Sequence, residues 1–326
     1  MINEAINGIK NSLPGFFVVN QEECYKKILR ANNICFLDTC FITRLITLAE
    51  KFDIYKAFET MAQGRDEWHI VFVLTGLVLY ELKDSRESKL QSKNLELFES
   101  MNTNGFTLVV IDEELVCENI NNYLGKTKVE WNALLTNRLI ENKANLSKLF
   151  SVMANSGDAL QEAIYDGRVK NNRDTSFIVN LIGSIKERKS DKDSLAEELV
   201  AVSLFFIMEL IKDSNRNAVF FCSHDLPAID RLNKVSKTSF DEMTVSIKAV
   251  SFFTFVNYMV EQGNITDKEA LIEVLRKTMA PSIVVLSLED NLVQNTFEKM
   301  AIEDVADKML SGVRLAYVGK AGKARE

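Results

Sequence analysis

The chain has 326 residues, 47% hydrophobic and 26% charged, with only 3 Pro and 13 Gly. That composition belongs to an ordered, helix-rich globular protein with one large core and room for an insertion or an appendage, and it argues against a disordered or low-complexity chain. A formal net charge of −7 argues against holding nucleic acid by bulk positive charge, while leaving a local basic patch open.

The first 30 residues read as a helical segment preceding the main domain. The first strand signal is "ICFLD" (34–38), followed by the helical pattern "FITRLITLAEKFDIYKAFETMAQ". A second apolar run, "HIVFVL" (69–74), leads into the short helix "TGLVLYELK", and a third, "FTLVVI", covers 106–111. Residues 112 to about 185 break this alternation with a long, strand-poor, mostly helical insertion. The pattern resumes with the helix "SLAEELVAVSLFFIMELIKD", in which Leu195, Leu199, Val202, Phe206 and Leu210 keep helical spacing, and then with the runs "AVFFC" (218–222) and "VSIKAV" (245–250). Most of these runs are continuous rather than alternating, as strands covered on both faces are. Strand and helix in turn predict an α/β domain over 31–262 with a mainly parallel central sheet flanked by helices, whose ligands gather beyond the carboxyl ends of the strands. Residues 263–326 read as a small C-terminal α/β module, opened by "TDKE", where Thr266 and Glu269 have capping-box spacing, and continued by "SIVVLSL".

The cysteines, Cys24, Cys35, Cys40, Cys117 and Cys222, are odd in number and form no C-x-x-C pair, so they read as reduced core thiols. The longest apolar stretches, 70–80 and 199–208, fall short of the roughly 20 residues that span a bilayer. With no leader pattern visible, the expectation is a soluble cytoplasmic protein without a membrane partner.

The chemistry lies in the acids at the ends of these elements. An unpaired carboxylate inside an apolar strand costs several kcal/mol, so Asp38, closing "CFLD", needs a cation or a donor beside it. Asp225 follows the fourth run in "SHD", and the two acids meet if their strands are neighbours in a parallel sheet. Asp193 stands at the start of the helix before that strand, and Glu81 lies about two turns into the short helix after the second run. The ordinary alternative is helix capping: Asp38 and Asp225 as caps of the helices that follow them, and Glu197 in a capping box with Ser194.

In four ordered motifs the chain resembles the PIN-domain family of metal-dependent nucleases: "FLDTCFITRLI", "VLTGLVLYEL", "SDKDSLAEEL" and "VFFCSHD", closed by "VSIKAVSFFTFVNYM". The resemblance implies Asp38, Glu81, Asp193 and Asp225 as metal ligands and catalytic acids, with Thr39 and Ser223 as supporting hydroxyls. Asp191 and Glu197 compete with Asp193 within about two turns of the same helix start, and the last motif lacks the second acid often found soon after its Asp, with Asp230 further on as the candidate to compensate. Hard oxygen ligands imply Mg²⁺ or Mn²⁺ rather than Zn²⁺, and the implied reaction is hydrolysis of a phosphodiester, with a second ion at the leaving oxygen. The implied substrate is single-stranded RNA, with DNA as the alternative. Candidate substrate contacts are Lys189, Lys192 and His224 beside the acids, and Arg168, Lys170 and Arg173 in the insertion segment "GRVKNNRD". The rival roles are a noncatalytic PIN-like protein that binds RNA or a protein partner through the insertion or C-terminal module, as a monomer or an oligomer, and a phosphoacceptor with Asp38 as nucleophile. The second lacks the D-x-D pattern, because Cys40 takes its last position.

Overall fold

The computed structural model describes residues 1–62, 70–84, 87–114, 123–154, 182–190, 193–212, 218–241, 243, 245, 247–288 and 297–320. Six parallel strands form one sheet: β1 (Phe17–Val18), β2 (Asn33–Leu37), β3 (Ile70–Thr75), β4 (Thr107–Ile111), β5 (Ala218–Ser223) and β6 (Ile247–Ser251). Their order is β1-β4-β3-β2-β5-β6. The unbroken apolar runs of β2 to β5 are buried on both sides, and the pleat divides them between two cores. Ile34, Phe36, Val71, Val73, Val109 and Phe221 enter one core, and Cys35, Leu37, Phe72, Leu74, Leu108 and Cys222 the other.

The first core is closed by α2 (Gln21–Arg30), α9 (Leu195–Ile211) and α10 (Leu226–Phe240), and the second by α3 (Thr39–Ala49), α4 (Ile54–Ala62), α6 (Ser92–Thr103) and α11 (Phe252–Glu261). Helix α9 is apolar around almost its whole circumference, which requires cover on all sides. The described part of the insertion supplies it: α7 (Lys128–Glu141) and α8 (Ser147–Ala154) bring Trp131, Leu135, Leu149 and Phe150 into the same core. Helix α7 starts at a capping box in which Glu130 N–H donates to Thr127 Oγ1 and Thr127 N–H donates to Glu130 Oε2.

The N-terminal segment contains α1 (Ile2–Ser12) and, in β1, an edge strand paired with β4, so it belongs to the sheet as well as carrying helices. Residues beyond 262 form α12 (Lys268–Thr278), β7 (Ser282–Leu288), β8 (Phe297–Ala301), α13 (Ile302–Leu310) and β9 (Arg314–Lys320), with the strands in an antiparallel sheet ordered β8-β7-β9. Ile283, Val285, Val305 and Leu315 from this part share a continuous core with Phe41, Phe252 and Phe255. The cap of α12 differs from the expected Thr266/Glu269 box. Asp267 is the N-cap and accepts from Ala270 N–H at 2.9 Å, because a carboxylate one residue on satisfies the same helix donors. Gly312, at φ 88°, ends α13 in the left-handed conformation that a side chain resists. Among the described residues no helix is long and apolar enough to cross a membrane.

What positions the site is the strand order. Chain direction along the sheet reverses between β2 and β5, which are adjacent with Leu37 opposite Cys222. At such a reversal the connections leave on opposite faces and open a crevice at the carboxyl edge. Asp38 and Asp225 follow the two strands that flank it.

Candidate active site

Asp38 is the first residue after β2 and only 4% exposed. It occupies the N-cap position of α3 without a side-chain capping bond, so the carboxylate is left for the crevice. Ser223 Oγ donates to Asp38 Oδ2 at 2.6 Å and Cys40 Sγ donates to the same oxygen at 2.7 Å. The two donors also bind the turn after β5: Asp225 N–H donates to Ser223 Oγ at 3.0 Å and His224 N–H to Cys40 Sγ at 3.0 Å. Burial pushes the Cys40 thiol up to about 12, so it stays protonated and serves as a donor. Burial also raises the Asp38 carboxyl, against the pull of these hydrogen bonds, and the nearby charge of Glu81 raises it further.

Glu81 ends α5 (Gly76–Glu81), and its two oxygens are gripped separately. Thr39 Oγ1 donates to Oε2 at 2.6 Å, and Lys189 Nζ lies 2.9 Å from Oε1. Thr39 and Ser223 therefore both donate to carboxylates, one to Glu81 and the other to Asp38. Asp225 is half-buried at the N-cap of α10 and, like Asp38, makes no capping bond with its side chain.

The third acid is where sequence order and geometry part. Asp193 precedes α9 and is tied into its own turn: Oδ2 accepts from Ser190 N–H at 2.9 Å and Ser190 Oγ at 2.7 Å, Oδ1 accepts from Leu195 N–H at 3.2 Å, and Lys189 stands 3.0 Å from Oδ1. Burial alone would raise its carboxyl, but the Ser190, Lys189 and Leu195 donors outweigh it and hold it at about 2. Glu197, one turn on, has the opposite environment. Burial, and then the charges of Asp38, Glu81 and Asp225, push its carboxyl up to about 7. Its buried Oε2 has no hydrogen-bond partner among the described residues. The expected capping box does not consume it, since Ser194 makes no side-chain cap and its Oγ donates instead to Glu198, at 3.0 Å. Asp230 is exposed and paired with Lys234 at 2.6 Å.

Of the proposed substrate contacts, Lys189 is turned inward, 5% exposed, on Glu81 and Asp193. Burial favours its neutral form, but the charges of Glu81 and Asp193 keep its ammonium above the ordinary lysine range. The His224 ring lies under the C-terminal sheet, stacked on Tyr317 with centroids 5.2 Å apart and planes 15° apart. Lys192, Arg168, Lys170 and Arg173 lie outside the described residues, as does Asp191.

A second ionic cluster borders the site, unsuspected from the acid motifs. Lys186, fully buried, pairs with Asp112, with Glu113 at 3.3 Å and with Glu114 at 3.2 Å, while Lys10 reaches Asp112 at 3.3 Å. Glu113 Oε1 also accepts from Leu77 N–H at 3.0 Å, which fixes the start of α5 and so the placement of Glu81. Gly76 gives this cluster room, because a Cβ would stand 2.7 Å from Glu113 Oε2 and 3.1 Å from Lys186 Nζ and would have to displace the ends of both side chains. The available signal was "DEE" (112–114) directly after an apolar strand, three acids where burial demands a counter-charge.

Comparison with family models, with curated proteins and with solved structures found no match. Among the described residues no three His, Cys, Asp or Glu side chains converge closely enough to hold a metal ion as they stand. The donor chemistry nevertheless fits a hard divalent cation: the acids are oxygen ligands, burial and neighbouring acids raise Asp38 and Glu197, and one buried Glu197 oxygen is unpartnered among the described residues.

These shifts set a pH dependence for the metal-free protein. Glu197 binds its proton more tightly folded than unfolded, so its contribution to stability is full below about pH 4.5 and is lost as pH rises to about 7. The loss is up to roughly 3 kcal/mol. Urea denaturation in chelator between these limits is expected to show wild type weakening with pH and Glu197→Gln weakening much less. Equal slopes would place Glu197 away from the other acids.

Proposed function

We propose that the chain is a divalent-metal-dependent endoribonuclease with a PIN-like domain, a helical insertion and a small C-terminal α/β appendage, cutting single-stranded RNA at Asp38, Glu81, Glu197 and Asp225. Glu197 takes the place that motif order assigns to Asp193. The observation that carries this reading is Glu197, whose Oε2 is buried and unpartnered among the described residues and whose carboxyl is raised by burial and by the charges of Asp38, Glu81 and Asp225. Carboxylates gathered this way repel one another and are retained where a cation joins them. Mg²⁺ or Mn²⁺ held by these acids would supply Lewis-acid chemistry at a phosphodiester.

The chain's own residues prepare the site. Ser223 and Cys40 fix the rotation of the Asp38 carboxylate, and Thr39 and Lys189 fix that of Glu81. Such orienting contacts lower the reorganisation that charge stabilisation otherwise costs. Glu197 holds a proton on its carboxyl near neutrality and gives it up when a cation enters, so cation uptake releases a proton and weakens below pH 7.

The test is incubation of the full chain with labelled single-stranded RNA and DNA, with Mn²⁺, with Mg²⁺ and with chelator. The expected result is RNA cleavage that chelator abolishes. Glu197→Ala is expected to lose more than about 100-fold in rate, and Asp193→Ala about 10-fold as the loss of an orienting contact. The reverse order would return the third position to Asp193. The alternative reading is noncatalytic RNA binding. RNA retained in chelator and never cut in Mn²⁺ would establish it.

A further inference from the structure

Lys189 Nζ stands in a shell made only of oxygen. Glu81 Oε1 lies at 2.9 Å, Asp193 Oδ1 at 3.0 Å, the Ser190 carbonyl at 3.0 Å and the Asp193 carbonyl at 3.3 Å. Two carboxylates and two carbonyls are the ligand set of a hard cation, here filled by a tethered ammonium. On the other side of Glu81, Asp38, Glu197 and Asp225 have no pairing cation among the described residues. Glu81 borders both positions, with Oε1 on Lys189 and Oε2 on Thr39, whose neighbour is Asp38.

We propose that Lys189 is a resident cation of the carboxylate site, its ammonium filling one of two cation positions so that the site takes a single divalent ion. This rests on the metal-dependent reading above. The strap that carries Lys189 is held in place independently of the crevice. Lys186 is buried among Asp112, Glu113 and Glu114, and Glu187 accepts from Ile2 N–H and Asn3 N–H, both at 2.8 Å, at the start of α1. Between those anchors and α9 the ammonium has little freedom to leave Glu81. An ammonium carries half the charge of a divalent ion and no vacant coordination position, so it can neutralise Glu81 and hold its carboxylate but cannot ligate substrate. On this proposal a fixed side chain replaces the second ion that an all-carboxylate site would otherwise admit at the leaving oxygen.

The test is Mn²⁺ titration of the metal-free full chain, with free Mn²⁺ followed by electron paramagnetic resonance and folding checked by thermal melting. Wild type and Lys189→Arg are expected to bind one tight ion per chain, and Lys189→Gln two, because the emptied oxygen shell then accepts the second. Lys189→Met, which keeps much of the stem's volume, serves in the same arm if the Gln variant does not fold. Two tight ions in wild type overturn the proposal, whatever the variants do. So does one ion in a folded Gln or Met variant. No tight Mn²⁺ in wild type, together with no cleavage, overturns the carboxylate metal site itself.

Discussion

Asp38→Asn is expected to lower metal-dependent cleavage by about 1000-fold or more while the metal-free protein becomes no less stable, and by the linkage of charge to burial somewhat more stable. The side chain is 4% exposed, with its carboxyl raised by burial and by the charge of Glu81, so the folded apo protein carries this negative charge at a cost. Asn keeps the shape and, with its amide oxygen in the place of Oδ2, keeps the acceptor for Ser223 Oγ and Cys40 Sγ. It lacks the charge that makes the position a cation ligand. The measurements are single-turnover cleavage in Mn²⁺, calorimetric Mn²⁺ binding, and melting in chelator. Lost cleavage with weakened Mn²⁺ binding and an unchanged or higher Tm is the expected set. Cleavage near wild type would falsify the assignment of Asp38.

Lys186→Met is expected to cost about 3–5 kcal/mol, the largest stability effect of any single substitution argued for this protein. The ammonium is completely buried, and its loss leaves Glu113, also completely buried, without its one ion-pair contact among the described residues, whereas Asp112 retains Lys10. Burial works against the charge on Lys186, and the acids Glu113 and Asp112 more than offset it, so Lys186 stays an ammonium. Urea denaturation measures the loss. The double variant Lys186→Met with Glu113→Gln is expected to recover part of it, because the stranded charge goes with its partner. A loss under about 1 kcal/mol for the single variant would mean that the cluster hydrates in solution. Because Glu113 also holds Leu77 N–H at the start of α5, partial loss of Glu81's placement should accompany the destabilisation.

Strand positions were legible because a strand covered on both faces is apolar through its interior, and β2, β3, β4 and β5 are, each with a polar residue only at one end. Helix α9 was legible by its spacing, and the two acids at the crevice by their place directly after such strands. The capping alternative for Asp38, Asp225 and Glu197 was equally compatible with the sequence, and only the folded structure decides against it, since a side-chain cap is a bond and not a spacing. Composition and periodicity also say little about which charged side chains are buried. Lys186 and Lys189 look like a solvated basic run in "KERKS", yet both are interior, because the strap between the insertion and α9 crosses the carboxyl edge of the sheet.

The choice between Asp193 and Glu197 shows the division most clearly. Both lie within about two turns of one helix start, and local spacing assigns neither to the crevice. Glu197 and Glu198 are neighbours in sequence, but successive residues on a helix point about 100° apart. That rotation sends Glu197 toward Asp38 and sends Glu198 to Arg231, at 3.0 Å, and to Leu149 N–H, at 2.8 Å. The sequence by itself determined an α/β chain with acids at the strand ends. Which acids meet was decided by the docking of α9 against the sheet and under α7 and α8, because the rotation of a helix that is apolar on nearly every side is set by its neighbours and not by its own pattern.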